Sequence, residues 1–397
     1  WVDKPELPTA PKAQLNITQK MRTPEGAKPA KEESTDPNVE TRPPFADDQL
    51  DEEILHLLNE RARCALDVAE VKLRDSGGEP AVFYRPEREA QVLRRMAELN
   101  EGPLTVEKIV RIYREVMSAC LALEEPLKVA YLGPEGTFTQ MATQKQFGES
   151  VVGIPLVTVD DVFRQVASQN CNYGVVPVEN SSEGVISHTL DNFLSSELKI
   201  CGEVEIRVHH HMMVSPDAEA ADIQRIYSHQ QTLGQCRRWL NRQYPNVPRM
   251  PTTSNAEAAR RAAEEKDAAA IAGEIAAGIY DLKIISRQIE DEHDNTTRFI
   301  VVGLEDIDSS GNDKTSIMVS THNQPGALYK LLEPFHRYDV SLTSIETRPS
   351  RTGMWSYVFF IDFEGHRDDD NIRAVLNEID GDALEVKLLG SYPRALT

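Results

Sequence analysis

Thr296-Thr297-Arg298-Phe299 runs directly into the apolar stretch Phe299-Ile300-Val301-Val302, behind the acidic patch Glu290-Asp291-Glu292-His293. The apolar stretch reads as a buried strand. Hydroxyls and a guanidinium at the mouth of a strand can hold an anion and aim a hydrogen bond, because the scaffold fixes their direction. Two more strand ends carry comparable groups. Lys128 to Leu132 leads into Gly133-Pro134-Glu135-Gly136-Thr137-Phe138-Thr139, a glycine-rich turn opening a helix. Free amides and the positive end of the dipole there suit a carboxylate or phosphate. No Gly-Lys-Ser/Thr follows, which argues against a nucleotide P-loop. The strand Tyr173-Gly174-Val175-Val176-Pro177-Val178 ends at Glu179-Asn180-Ser181-Ser182, a cluster of donors and acceptors. An open α/β sheet places its ligand at such strand ends.

A different chemistry is written into the helices before them. Over 47–75, Leu50, Ile54, Leu57, Leu58, Ala65 and Val68 recur at helical spacing, and Arg61 and Lys72 fall inside the same stripe. Two cations aimed at a core need a counter-charge or a ligand. A second helix, 87–100, sets Arg88 and Glu89 beside Val92, Leu93, Met96 and Leu99, and a third, 105–124, carries Cys120 and Glu124 near the same face. The pattern predicts a polar pocket for a small polyanion inside an all-helical unit, with charges snorkelling at a dimer rim as the alternative.

These elements imply the wider organisation. Residues 1–44 hold eight prolines and few large apolar side chains, which predicts a disordered tail opening on Trp1 with no secretory pattern. A helical domain is expected over 45–126, an α/β domain over 127–303, a linker over 304–313 and a final module over 314–397. Within the α/β domain, Thr158 and Ser254 read as helix caps. The strand 199–208 is expected to continue through His209-His210-His211, whose alternation forbids convergence on one metal. A second lobe follows, with Ser228-His229-Gln230 at a strand end and Gln235-Cys236 on the next helix, so a cleft between lobes is predicted. The last module has the order βαββαβ, a split ferredoxin-like unit.

Composition narrows the partners. Forty-three basic against 64 acidic side chains give a net charge of −21, which argues against nucleic acid. No apolar run reaches the roughly 18 residues of a membrane span. Five scattered cysteines (Cys64, Cys120, Cys171, Cys201, Cys236) suit a reducing cytoplasm.

Taken in order, Gly133-Pro134-Glu135-Gly136-Thr137-Phe138, Pro177-Val178-Glu179-Asn180-Ser181, Ser228-His229-Gln230, Gln235-Cys236 and Thr297-Arg298-Phe299 resemble the bifunctional chorismate mutase–prephenate dehydratase family of phenylalanine biosynthesis. Pro325-Gly326-Ala327-Leu328 and Ile345-Glu346-Thr347-Arg348-Pro349 are similar to the two amino-acid-binding loops of its ACT domain. The resemblance covers about residues 45–397 and implies three parts: an all-α mutase-type domain, a two-lobed, periplasmic-binding-protein-like α/β dehydratase domain, and a ferredoxin-like ACT domain. It implies that Arg61 and Arg88 bind chorismate carboxylates, that Lys72 and Glu124 face the ether oxygen beside Cys120, and that Glu89 takes the hydroxyl. For prephenate, Thr297 would donate to the departing ring hydroxyl; Arg298, Thr137 and Asn180 would hold carboxylates, with Glu179 in the same cluster and Ser228 and Gln235 on the opposite lobe. L-phenylalanine, as allosteric inhibitor, would bind Asn323, Gly326, Ala327, Leu328, Glu346 and Thr347 between two copies, in a homodimer or higher homo-oligomer. Neither reaction calls for a metal or an organic cofactor. One departure stands out: the family's first helix begins with an arginine that reaches the partner's pocket, and Pro44 occupies that position, with Arg42 beyond a Pro-Pro break. The alternative is therefore a dehydratase whose helical block serves dimerisation alone. A non-catalytic binding protein is a second rival, since two lobes around a cleft also describe solute receptors.

Overall fold

The computed structural model describes residues 46–75, 83–182, 184–321, 324–349 and 357–395. The expected tail, with Arg42 and Pro44, and the effector residue Asn323 lie outside the described residues. The chain divides into residues 1–53 and 54–397, and of the described residues the start of the first helix, 46–53, belongs to the former.

Helix α1 (Ala46–Asp75) runs thirty residues without glycine or proline, with Asp47 and Asp48 in its first turn and Lys72 and Arg74 in its last. Those charges oppose the helix dipole favourably. Helix α2 (Pro86–Leu99) opens on proline, where a missing amide costs nothing. Helix α3 (Val106–Glu124) is capped by Thr105, whose hydroxyl accepts from the Lys108 amide. Leu93 of α2 and Cys120 of α3 are buried. The stripe on α1 behaves otherwise: Leu50, Ile54, Leu57, Leu58 and Val68 remain 39% to 62% exposed. The expected inward-facing stripe is thus uncovered by the described residues.

The α/β region follows with β1 (Lys128–Leu132), α4 (Phe138–Phe147), β2 (Val152–Leu156), α5 (Val159–Ala167), β3 (Tyr173–Asn180), the short β4 (Gly184–Val185), α6 (Ser187–Phe193) and β5 (Lys199–Arg207). The chain then crosses to β6 (His211–Val214), β7 (Arg225–His229), α7 (Gln230–Gln235), α8 (Arg237–Gln243), β8 (Arg249–Thr252), α9 (Asn255–Glu264), β9 (Ala268–Ala272), α10 (Glu274–Ile279) and β10 (Lys283–Ser286), and returns in β11 (Thr296–Gly303). One sheet has the order β2-β1-β3-β11-β5 and the other β10-β6-β9-β7-β8. Thr158 and Ser254 cap α5 and α9 as expected, accepting from Asp161 N and Glu257 N.

Two expectations are corrected here. The three histidines do not extend β5: the strand ends at Arg207, and His211 already belongs to the second sheet. His209 and His210 instead form the crossing between sheets, bonded to the return crossing through Val208 N to Asn295 O at 2.8 Å and Ile289 N to His210 O at 2.9 Å. Thr297 is not on a loop at the mouth of a strand but inside β11, paired with Asn180 on one side and Ile206 on the other.

Residues 304–313 pack closely: the Asp313 carboxylate accepts from the amides of Ser310 and Gly311, and Arg94 of α2 donates to Ser310 O at 2.7 Å. The C-terminal module comprises β12 (Asp313–Ser320), α11 (Ala327–Arg337), β13 (Leu342–Pro349), β14 (Tyr357–Glu364), α12 (Asp370–Asp382) and β15 (Glu385–Pro393). Its antiparallel sheet has the order β13-β14-β12-β15. Val358, Phe360, Leu389 and Tyr392 join one core with Val176, Ile200 and Ile300, so module and first sheet are packed together.

Candidate active sites

Alternation along β11 decides which side chains share a face. Thr297 is 8% exposed, and its Oγ1 accepts from Asn180 Nδ2 at 2.8 Å. The same amide nitrogen donates to Asn295 Oδ1 at 2.9 Å, while Asn180 Oδ1 accepts from Ser182 N at 3.0 Å. Asn180 is therefore engaged in orienting Thr297, Asn295 and Ser182. With Asn180 as donor, the Thr297 proton has no acceptor among the described residues and remains free for a ligand. That is the polarity a departing oxygen needs.

Arg298 points the other way. Its guanidinium bonds Glu203 Oε2 at 2.8 Å, Asp362 Oδ2 at 2.6 Å and Tyr392 OH at 3.0 Å. Successive residues of a strand face opposite sides, so Thr297 and Arg298 cannot serve one ligand. Glu179, opposite Arg298 in the ladder, shares that far face and lies near Glu346. Both are removed from the Thr297 side.

The second lobe offers fewer free groups than expected. Ser228 is fully buried, its hydroxyl bonded to Asn255 Oδ1 at 2.9 Å and Ile271 O at 2.7 Å, which is a structural use. Thr137 donates to Leu132 O and caps α4 through Gln140 N, and the Gly136 amide is taken by Gln140 Oε1 at 2.6 Å. The expected anion cradle is thus already occupied. What the turn does is bridge the lobes. Gly136 has φ of +87°, and a Cβ there would sit 3.0 Å from the Tyr280 ring, while Tyr280 OH donates to Glu135 O at 2.9 Å.

Gln235 does face the junction, with Oε1 at 2.8 Å from His210 Nε2. His210 is 1% exposed, its Nδ1 has no partner, and its ring meets Phe138 edge-on at 5.7 Å. Burial lowers its pKa, so the imidazole is neutral, and a proton on Nε2 leaves Nδ1 as an acceptor. The adjacent Glu290 is raised by burial but held below its usual range by the His209 ring and the His210 amide. A cavity of about 470 Å³ opens here, lined by Ser182 and Asn295 on one side and Gln231, Gln235 and Arg237 on the other. Arg237 forms no ion pair among the described residues, whereas Arg238 is held by Asp291. Neither His210 nor Arg237 stood out in the sequence. The unequal fate of three consecutive histidines follows from the crossing, which periodicity did not reveal.

In the helical unit, Glu124 Oε2 is buried without a partner. Burial raises its pKa against the opposing pull of Lys72 and Arg61, so these three are neighbours. Lys72 Nζ also donates to Phe83 O at 3.3 Å, and Cys120 is buried nearby on α3. Glu89 is directed at Arg114 Nε, 3.4 Å away, and Arg88 is exposed, so neither joins the trio within this chain.

In the C-terminal module Gly326 has φ of +83° at the start of α11, Ala327 follows it, and Leu328 is 44% exposed. Thr347 lies on the exposed face of β13, whereas Glu346 takes the opposite face toward Glu179. Glu346 is thereby set apart from the other effector residues.

Comparison with known proteins supplies the context. Residues 47–125 match the chorismate mutase type II family, 129–307 the prephenate dehydratase family and 315–381 the ACT domain. The chain is 56% identical over 350 residues to a bifunctional chorismate mutase/prephenate dehydratase of Pseudomonas aeruginosa, covering 88% of this chain and 96% of the relative. It is 44% identical over 353 residues to the protein of that name from Aquifex aeolicus, with 88% and 96% covered. A crystal structure of prephenate dehydratase from Arthrobacter aurescens in complex with L-Phe superposes with a TM-score of 0.63 at 32% identity, over 68% of this chain and 90% of that one.

Proposed function

The chain belongs to the bifunctional chorismate mutase/prephenate dehydratase family, and from that premise we infer that it converts chorismate to prephenate and prephenate to phenylpyruvate. The observation that carries the second activity is the Thr297 hydroxyl, held as an acceptor by Asn180 with its own proton undirected. In the reaction the ring carboxylate leaves as carbon dioxide, its bonding pair enters the ring, and the ring C–O bond breaks with protonation of the oxygen to water. Aromatisation drives the step; the enzyme's task is to help a poor leaving group. Thr297 acts as a polarised donor, because a threonine hydroxyl is too weak an acid to be the final proton source. Arg237 takes over the carboxylate-holding role first assigned to Arg298, and Phe138 with the neutral His210 forms the wall. Incubation with prephenate alone, following phenylpyruvate, tests the assignment; no product would refute it.

The mutase reaction needs no acid–base step, only a compact conformer and stabilisation of charge on the ether oxygen. Burial raises the Glu124 carboxyl and so favours its protonated form, the form in which it supplies a donor beside Lys72 and Arg61. The uncovered face of α1 is read as the seat of a second copy in a homodimer. Domain limits of 45–126, 127–303 and 314–397 fit this reading. In finer terms the two sheets are periplasmic-binding-protein-like and the last module ferredoxin-like. L-phenylalanine is assigned to the exposed Gly326, Ala327, Leu328 and Thr347 as inhibitor, and the five free cysteines agree with the cytoplasm. Measuring chorismate consumption separately from phenylpyruvate formation distinguishes two activities from one.

A further inference from the structure

Thr297 and Arg298 are neighbours in β11, yet one is bonded to Asn180 and the other is tied into the C-terminal module. The tie is specific. Arg298 Nη1 meets Asp362 Oδ2 of β14 at 2.6 Å, Nη2 donates to Tyr392 OH of β15 at 3.0 Å, and Nε holds Glu203 of β5 at 2.8 Å. Asp362 Oδ1 accepts from Ser316 Oγ at 2.6 Å, and Ser316 also meets Tyr392 OH at 2.8 Å. Glu203 receives Lys314 Nζ at 2.7 Å and the amide of Ala395 at 3.2 Å. The charged side chains of this network are only 3% to 15% exposed.

A buried charge network is a poor source of net stability, since desolvation offsets most of the attraction. What it supplies is geometry: a guanidinium fork accepts few arrangements of its partners. The other polar ties between module and dehydratase sheet end elsewhere. Arg348 grips Asp191 of α6, Lys387 donates to Phe193 O and Ser196 O, and Lys199 donates to Leu388 O. Gly390 of β15 lies so close to β5 that a Cβ would fall 2.2 Å from Ile200 O. Among the described residues, Arg298 is the polar side chain of β11 bonded to the module, one residue and roughly 3.3 Å of strand rise from Thr297. Beside it a cavity of about 30 Å³, lined by Glu179, Arg298, Glu346 and Asp362, leaves room for β13 and β14 to shift without overpacking.

We propose that Arg298 is a positioning residue: its fork on Asp362 and Tyr392 makes the hydroxyl direction of Thr297 depend on where the C-terminal module sits, and it is the contact through which the module restrains dehydration. The proposal rests on the dehydratase and phenylalanine-inhibition readings above. A displacement of about 1 Å at a reacting group costs on the order of a hundredfold in rate, so a small shift of β14 suffices. Coupling is a difference between two states, and a clamp beside the reacting hydroxyl makes that difference felt.

The test uses the full chain, with prephenate kinetics, phenylalanine inhibition and phenylalanine binding by equilibrium dialysis measured separately. Asp362→Asn keeps the shape of the partner and leaves Arg298 bonded to Glu203, which it shares with Lys314. It is expected to bind phenylalanine as the wild type does, to retain its chorismate mutase rate, and to require about tenfold more phenylalanine for half inhibition. Arg298→Lys keeps the charge but loses the fork; its prephenate kcat should fall about tenfold with KM unchanged. Tyr392→Phe, the mildest change, should weaken inhibition in the same direction by less. Inhibition unaltered in a folded Asp362→Asn protein overturns the proposal, as does a raised KM with normal kcat in Arg298→Lys, which would mean direct substrate contact. If the wild type makes phenylpyruvate but binds no phenylalanine, the effector reading fails and the proposal with it. If the wild type makes none, the dehydratase reading itself has failed.

Discussion

The dehydratase cleft and the helical unit handle their polar groups in opposite ways. Around Thr297 nearly every donor and acceptor is engaged within the chain: Asn180 is shared among Thr297, Asn295 and Ser182, and Ser228 is fully bonded. Among the described residues, the Thr297 proton and His210 Nδ1 have no partner, and Arg237, which forms no ion pair, lines the adjoining cavity. In the helical unit the reverse holds. Glu124 Oε2 is an orphan, the stripe on α1 is uncovered, and Arg88 and Glu89 stand away from Arg61 and Lys72. The first site is thus closed by its own neighbours, whereas the second leaves polar and apolar groups open among the described residues. The cause is geometric. Two lobes fold back on each other around a cleft, whereas a thirty-residue helix leaves its apolar face uncovered by the other described residues.

The largest expected effect would break the comparison at its firmest point. Thr297→Ala should lower prephenate kcat by roughly a thousandfold while KM changes little, because the hydroxyl acts on the leaving oxygen and binds substrate weakly. Chorismate turnover by the same protein should be unaffected. A rise in KM at constant kcat would make Thr297 a binding residue and transfer the chemistry to another group of the cleft. Next in size, Lys72→Met should lower chorismate turnover by about a hundredfold, the scale of removing one transition-state donor. Prephenate dehydration should be untouched, since among the described residues Lys72 bonds Phe83 O and acts on Glu124. Loss of both activities would mean that α1 supports the whole molecule.

Dilution sharpens the contrast without any mutation. If the face of α1 is completed by a second copy, chorismate turnover per molecule should fall several-fold as protein concentration drops below the dimer dissociation constant. Prephenate turnover should stay level over the same range, measured before any slow unfolding. Parallel decline of the two rates would show that the cleft also depends on association.

Much of this layout was readable in the sequence, for reasons that differ by region. Helices capped by Thr158 and Ser254 announced themselves, because a hydroxyl three residues before a free amide is a local signal. So did β1 and β9, short apolar runs between polar turns. Directions of side chains were harder. Arg298, Glu179 and Glu346 have the right chemistry for ligands, yet their face is set by which sheet lies behind β11, β3 and β13. That is decided by packing residues sixty or more positions apart, such as Arg298 with Asp362, and no local pattern encodes it. The occupied hydroxyls of Thr137 and Ser228 were hidden for a similar reason: a strand-end hydroxyl looks the same in sequence whether it meets a ligand or its own backbone.

Glu89 supplies the smallest test, and it asks whether the α2–α3 pair is a finished structure or part of the open site. Burial raises its carboxyl pKa to about 7, although Arg114 pulls it down. In the unfolded chain the group titrates near its ordinary value of about 4.3. Between those values the unfolded chain has released the proton while the folded protein keeps it. The contribution to stability is therefore fully present below the unfolded pKa and is lost as pH rises through about 7. Glu89→Gln mimics the protonated form at every pH. Wild-type thermal midpoints should therefore fall relative to the variant between about pH 5 and pH 8, by roughly 2–4 °C, with no difference at the acid end. A variant that is less stable at high pH would show that the ionised pair with Arg114 stabilises the fold. The α2–α3 pair would then owe its packing to charge, and the contrast with the self-satisfied cleft would narrow.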